Sequence, residues 1–315
     1  MTYVPAIISF VAVAVLSPVL LSVLKFFNLT QPIRQELPSN HQKKKGTPLM
    51  LGAIFLLGCG VSLLFKPNKI SFFLTVTFIL FSLIGFADDF WKASRQDPGG
   101  ISGKTKLFFQ FLFTGSLLFY LIYSYDLNTN ISLVKSFSLT IPAQAYIILI
   151  TLFIVGSANA INFTDGLDGL LGVVAIPTYF FFFVISDKYE VKIFCIAMIG
   201  SLLGFLLYNL YPAKGFMGDT GSLAIGGSLS FLAIIEKVEI LIPVLFFVYF
   251  AEQLSVILQV SSFKLTGKRL FKMSPIHYHF GLKYQWSENK IVIVFGLISW
   301  LCALLSWIYR ELFLI

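Results

Sequence analysis

Hydrophobic residues in this chain come in long unbroken runs, not at helical or alternating spacing, and short polar turns separate the runs. Ten apolar segments are read at approximately Val4–Phe27, Thr47–Phe65, Ile70–Phe86, Leu107–Tyr125, Ala143–Ala160, Gly169–Ser186, Val191–Leu210, Asp219–Ile235, Ile240–Val260 and Lys290–Ile308. At about 17–24 residues each they match the length an α-helix needs to cross a hydrocarbon layer, and exceed the ~10-residue alternating strands of a membrane barrel. The pattern predicts an all-α membrane protein of about ten transmembrane helices, a single polytopic domain over residues 1–315. The eighth run is the least regular, being short and interrupted by Gly226-Gly227. The ninth carries Glu252, an acid expected to face protein and not lipid. The first has neither a basic leader nor a small-residue cleavage site and is read as a retained span.

Composition agrees with this reading. The chain is 57% hydrophobic and 12% charged, against about 25% charged in a soluble domain. Cys59, Cys195 and Cys302 stand alone inside apolar runs, so neither a disulfide framework nor a metal-ligand spacing is present. The net charge of +8 reports loop topology and attraction to anionic lipid, not nucleic-acid binding. Of the 23 Lys and Arg, 16 fall at or near the odd-to-even connections and 7 on the opposite face. By the positive-inside rule the first set is cytoplasmic and both termini are outside. The one long outside connection, Asp126–Pro142, is read as ordinary solvated chain.

Nearly all the unusual chemistry falls on the side read as cytoplasmic. The loop from Arg34 to Pro48 holds Lys43-Lys44-Lys45, which is either a topological anchor or a basic wall for a polyanionic substrate. Asp88 and Asp89 follow the third run, where an acidic pair at a helix C-terminus opposes the helix dipole. The turn Asn159-Ala-Ile-Asn-Phe-Thr-Asp-Gly-Leu-Asp-Gly169 sets Asp165 and Asp168 beside Asn162. One helix cap needs only one carboxylate, so two suggest a further role. Asp219 lies between glycines at the start of the eighth run. The last loop alternates basic and apolar residues from Lys264 to Lys272, as a segment in the headgroup plane would, and ends with His277 and His279. Without a third local ligand, these two histidines fit phosphate contact or proton transfer better than metal binding. Converging carboxylates need a cation, and hard oxygen donors that leave room for phosphates suit Mg²⁺. Carboxylates, Mg²⁺ and basic side chains together point to phosphoryl transfer between a lipid phosphate and a cytosolic diphosphate.

Three motifs, Gly85-Phe-Ala-Asp-Asp-Phe-Trp-Lys92, Asn162-Phe-Thr-Asp-Gly-Leu-Asp-Gly-Leu170 and Phe216-Met-Gly-Asp-Thr-Gly-Ser-Leu223, resemble the polyprenyl-phosphate N-acetylhexosamine-1-phosphate transferases. The runs Leu254–Val260, Lys264–Arg269, Pro275–Phe280 and Trp286–Asn289, with Gly46-Thr47-Pro48, are similar to the branch that transfers phospho-N-acetylmuramoyl-pentapeptide. This resemblance covers nearly the whole chain. It implies transfer from UDP-MurNAc-pentapeptide to undecaprenyl phosphate, giving lipid I and UMP with Mg²⁺ required, in the bacterial cytoplasmic membrane. A homodimer is carried as an open expectation. Residue by residue, Asp219 matches the metal-binding Asp, and Asp88 and Asp89 match the acidic pair. Lys104 or Lys106 matches the Lys that follows the pair. Asn162, Asp165, Leu167, Asp168, Asn209 and Phe216 match nucleotide-side positions, with Phe216 placed to stack on uracil. His277 and His279 match the ends of a triple-histidine motif, and Lys44 the basic loop.

The chain departs from the motif where Tyr278 and Gly281 replace the middle His and a Glu, and where Leu49 replaces a Thr. Two other readings are weighed. A GlcNAc-1-phosphate transferase to polyprenyl phosphate is disfavoured by the Lys264–Arg269 and Trp286–Asn289 runs. A lipid or ion transporter would spread its acids through the membrane depth, whereas here only Glu252 is deep.

Overall fold

A computed structural model describes residues 3–32 and 46–314. Every apolar run becomes helix. In chain order these are α1 (Val4–Phe26), a 3₁₀ turn Leu51–Phe55 leading into α2 (Leu56–Phe65), α3 (Lys69–Arg95), α4 (Gly103–Ser124), α5 (Ala143–Thr164), α6 (Leu170–Ile185), α7 (Tyr189–Asn209), α8 (Gly218–Ile235), α9 (Ile242–Leu245), α10 (Phe247–Thr266), α11 (Ile276–Tyr284) and α12 (Glu288–Tyr309). Among the described residues, seven of these helices are long and apolar enough to cross a membrane. The count is eight if the pair Glu239–Leu245 and Phe247–Thr266, bent by 72°, is one span. Leu51–Phe65 and Leu170–Ile185 are apolar but shorter, which is why ten runs do not translate into ten full-length helices.

Local chemistry sets several helix starts. Asn68 Oδ1 accepts from Ser71 N at 2.9 Å ahead of α3, Ser102 Oγ from Thr105 N at 3.1 Å ahead of α4, and Ser287 Oγ from Lys290 N at 3.3 Å ahead of α12. Each satisfies a donor the first helical turn would leave orphaned. Two features differ from the sequence reading. The helix α3 runs on to Arg95 past the expected end near Phe86, with Lys92 and Arg95 in its last turn. Asp88 and Asp89 therefore sit inside the helix, and the basic last turn favours the C-terminal dipole. The connection 126–142 contains an antiparallel hairpin, β1 (Asn130–Val134) with β2 (Phe137–Thr140), tied to the C-terminus by Lys135 N donating to Phe313 O at 2.7 Å.

The helix α8 is the axis of the bundle. In its most apolar window 94% of residues are buried, against 28% for α1, whose outward face carries Val15, Val19 and Phe26. An apolar face of that kind belongs against hydrocarbon. The helix α8 packs on α3 and α5, and the approach to α3 is very close. A Cβ on Gly85 would lie 2.0 Å from the Asp219 carbonyl oxygen, so only glycine lets the two backbones meet there. That contact places the acids of α3 against the start of α8.

Candidate active site

Asp88 and Asp89, each 1% exposed, reach the N-terminus of α8 from α3. Asp89 uses both oxygens on α8. Its Oδ1 accepts from Asp219 N at 3.1 Å, and its Oδ2 accepts from Thr220 N at 2.8 Å and Thr220 Oγ1 at 2.7 Å. It thus caps the helix from a neighbouring one, where positive dipole and orphan N–H groups favour an anion. Asp88 Oδ1 accepts from Ile101 N at 2.9 Å, folding the loop after α3 back over the site.

Two lysines meet the remaining charge. Lys106 Nζ lies 2.5 Å from Asp219 Oδ2 and 3.1 Å from Asp88 Oδ2. Lys92 Nζ lies 2.5 Å from Asp88 Oδ2 and 3.4 Å from Asp219 Oδ2. On the other side of Asp219, Asn162 Nδ2 donates to Oδ1 at 2.9 Å and to Ser222 Oγ at 2.7 Å. Of the two lysines left open by sequence, Lys106 is in the site and Lys104 is exposed outside it. Lys92 was not singled out. Its position one turn after Asp88 on the same helix is the signal that finds it.

The turn after α5 and the segment 210–217 form the other wall. Asn209 Oδ1 accepts from Gly169 N at 3.0 Å while its Nδ2 donates to Gly215 O at 2.9 Å, and Asp168 Oδ2 accepts from Ala213 N at 2.9 Å. Phe216 is fixed by its backbone, with its N donating to Pro48 O at 2.8 Å and its O accepting from Leu51 N at 2.9 Å. Asp165 follows the end of α5. Burial, then the negative charges of Asp219, Asp89 and Asp168, push its carboxyl well above the usual carboxylate range, against the pull of a Gly218 N–H. Asp89, Lys92, Asn162, Asp165, Leu167, Asp168, Asn209, Phe216 and Asp219 line one cavity of about 310 Å³.

His277 is wholly buried behind this cavity, against Gly166, and Tyr278 OH donates to Gly166 O at 3.1 Å at its wall. His279 lies apart from the carboxylates. Its Nδ1 accepts from Lys272 N at 3.0 Å, and its ring packs on Phe271. Burial and the nearby Lys283 and Lys272 lower its pKa. Lys44 lies outside the described residues.

Asp88, Asp89 and Asp219 each bring a carboxylate oxygen to within 4.8 Å of the others. The two lysines touch Asp88 and Asp219 but not Asp89, so the three carboxylates exceed the ammonium groups in charge. Hard anionic oxygens with residual negative charge fit Mg²⁺, with Asp219 as the first candidate ligand.

The profile of glycosyl transferase family 4 matches residues 71–237. The chain is 40% identical to the phospho-N-acetylmuramoyl-pentapeptide-transferase of Anoxybacillus flavithermus, with 96% of each chain covered. The enzymes of that name from Halalkalibacterium halodurans and Bacillus subtilis are 42% and 41% identical, over 98% of this chain and 97% of each of theirs. This chain belongs to glycosyl transferase family 4. The family match spans α3 to α8, and therefore includes the carboxylate cluster, both lysines and the Asn162–Gly169 turn. The histidine segment and α10 lie beyond it, in the part shared with the full-length relatives.

Proposed function

We propose that this protein transfers phospho-MurNAc-pentapeptide from UDP-MurNAc-pentapeptide to undecaprenyl phosphate, releasing UMP and forming lipid I. Near-full-length similarity to relatives that carry this activity in their name is the observation behind the reading. The cavity is consistent with it. A lipid-phosphate oxygen bonds to the sugar-linked phosphorus of the donor as the bond from that phosphorus to UMP breaks. Such a reaction is driven by positioning and charge neutralisation, and so needs cations and fixed polar groups more than a covalent partner.

In this reading Asp219, with Asp88 beside it, would hold Mg²⁺, which would supply charge neutralisation on the donor diphosphate. Lys92 and Lys106, which reach the same carboxylates, would hold phosphate oxygens of the substrates. Asp89 keeps α8 in place and so fixes Asp219. The nucleotide lies along Asn162, Asp165, Leu167 and Phe216, with Phe216 against uracil. Asp168 and Asn209 hold the segment that presents Phe216. In this reading both short helices and the bent pair also cross, giving ten crossings with the termini outside and the site on the cytoplasmic face. The excess of Lys and Arg on the loops of that face supports this sidedness.

The donor decides between this reading and transfer of GlcNAc-1-phosphate. Purified protein given undecaprenyl phosphate and each sugar nucleotide in turn is expected to make lipid product only with UDP-MurNAc-pentapeptide. Product from UDP-GlcNAc alone would overturn the assignment.

A further inference from the structure

Glu252 on α10 is an acid deep in an apolar run, and it is 0% exposed, as is His277 on α11. A buried carboxylate without a partner is costly, and here the partner is specific. Glu252 Oε2 lies 3.0 Å from His277 Nδ1, and the backbone N–H of His277 points to the same oxygen at 3.4 Å. The carboxylate therefore lies against both the ring, by close approach, and the first turn of α11, by a backbone hydrogen bond. With a hydrogen on Nδ1 facing the carboxylate, the neutral ring has its lone pair on Nε2.

The other ring edge faces the cavity wall. A Cβ on Gly166 would lie 2.4 Å from both Nε2 and Cε1, so the ring abuts the bare backbone of a residue that lines the cavity. Among the described residues neither ring nitrogen makes an aligned hydrogen bond, but Nδ1 has Glu252 Oε2 at 3.0 Å whereas the fully buried Nε2 has no polar partner. Buried polar atoms without partners are rare, and in a fixed ring this one needs an explanation. A carboxylate on one imidazole nitrogen, with the other nitrogen free at the edge of a polar cavity, is the arrangement that sets tautomer and orientation in general acid–base sites.

We propose that Glu252 is a positioning residue that acts through His277, holding Nδ1 so that the free Nε2 faces the Gly166 turn of the transfer site. The catalytic consequence rests on the transferase reading above, whereas the tautomer itself does not. Glu252 was visible in the sequence as a lone intramembrane acid. Its partner, 25 residues away in sequence, is brought to it by the fold.

The test has two arms. The chain has three histidines, so ¹⁵N-histidine spectra of the full-length protein in nanodiscs, with His277→Gln to assign the signal, read the tautomer directly. Wild type is expected to show the neutral, Nδ1-protonated form at His277. In Glu252→Met that signal should shift while the His279 signal stays. An Nε2-protonated His277 in wild type, or a spectrum unmoved by Glu252→Met, overturns the proposal whether or not the protein is a transferase.

In the activity arm, Glu252→Gln and His277→Gln should each lower kcat by about 10²-fold with little change in KM for the donor. The double variant should be no worse than His277→Gln alone. Additive losses would instead make Glu252 a structural residue unrelated to His277. Wild-type protein with the expected spectrum but no transfer would count against the transferase reading and leave the pairing supported.

Discussion

At the scale of single residues, the site separates acids that hold the fold from acids available to a ligand. Asp89 has both oxygens committed to the N-terminus of α8. Asp89→Asn keeps one acceptor and places an amide N–H against α8 N–H groups, so it should lower stability by about 1–2 kcal/mol as well as activity. A thermal melt of the purified variant checks this. An unchanged midpoint with activity lost would mean that Asp89 contacts substrate and not helix. Lys106 and Lys104 offer a cleaner contrast, since only Lys106 touches Asp219 and Asp88. Lys106→Met should lower transfer by at least about 10²-fold, in keeping with loss of a charged contact in a preorganised site. Lys104→Met, on an exposed side chain, should stay near wild type. Steady-state rates of both decide it. Sequence reasoning reached Asp88, Asp89, Asp165, Asp168 and Asp219 because carboxylates are conspicuous in an apolar chain. It overlooked Lys92 because a lysine near a membrane boundary looks like an anchor, and only the fold turns it inward.

At the scale of elements, close backbone approach governs the site. The Gly85–Asp219 contact fixes α3 against α8, and it involves backbone atoms that cannot rotate away. Gly85→Ala should separate the two helices, remove the Asp89 cap and abolish transfer. The substitution adds one methyl to a helix interior, where alanine is otherwise favoured by about 1 kcal/mol. Loss of the folded fraction on size-exclusion chromatography, or a lower melting midpoint, is the expected readout. A variant as stable and active as wild type would contradict the close packing. The positions of these helices were legible from hydropathy alone. Their ends were less so, because α3 continues through Asp88, Asp89 and Lys92, whose polarity looked like a boundary. The hairpin at 130–140 was also hidden, since its four-to-five-residue strands lack a long alternating pattern. The 72° break at Phe246 carries no sequence mark beyond Pro243 just upstream.

At the scale of the whole molecule, a bundle built around α8 gathers the ends of α3, α5 and α8 at one cavity, with Lys106 of α4 reaching its carboxylates. The membrane class was legible because composition and run length are global properties. Sidedness rests on loop charge, and a cysteine introduced at Ser102, beside the site, tests it against one at Asn128 on the opposite face. Native Cys59, Cys195 and Cys302 are buried and should stay silent. In right-side-out vesicles a membrane-impermeant maleimide should label only Asn128→Cys. Labelling of Ser102→Cys alone would invert the topology.

The central claim is that Asp219 anchors a metal-dependent phosphoryl-transfer site. It is tested most directly by measuring UMP release from UDP-MurNAc-pentapeptide in detergent, with undecaprenyl phosphate, for wild type and Asp219→Asn across a Mg²⁺ titration. The account predicts release by wild type that requires both lipid phosphate and Mg²⁺, and no release by a folded Asp219→Asn at any Mg²⁺ concentration. Full release by Asp219→Asn, or release by wild type in EDTA, would contradict it.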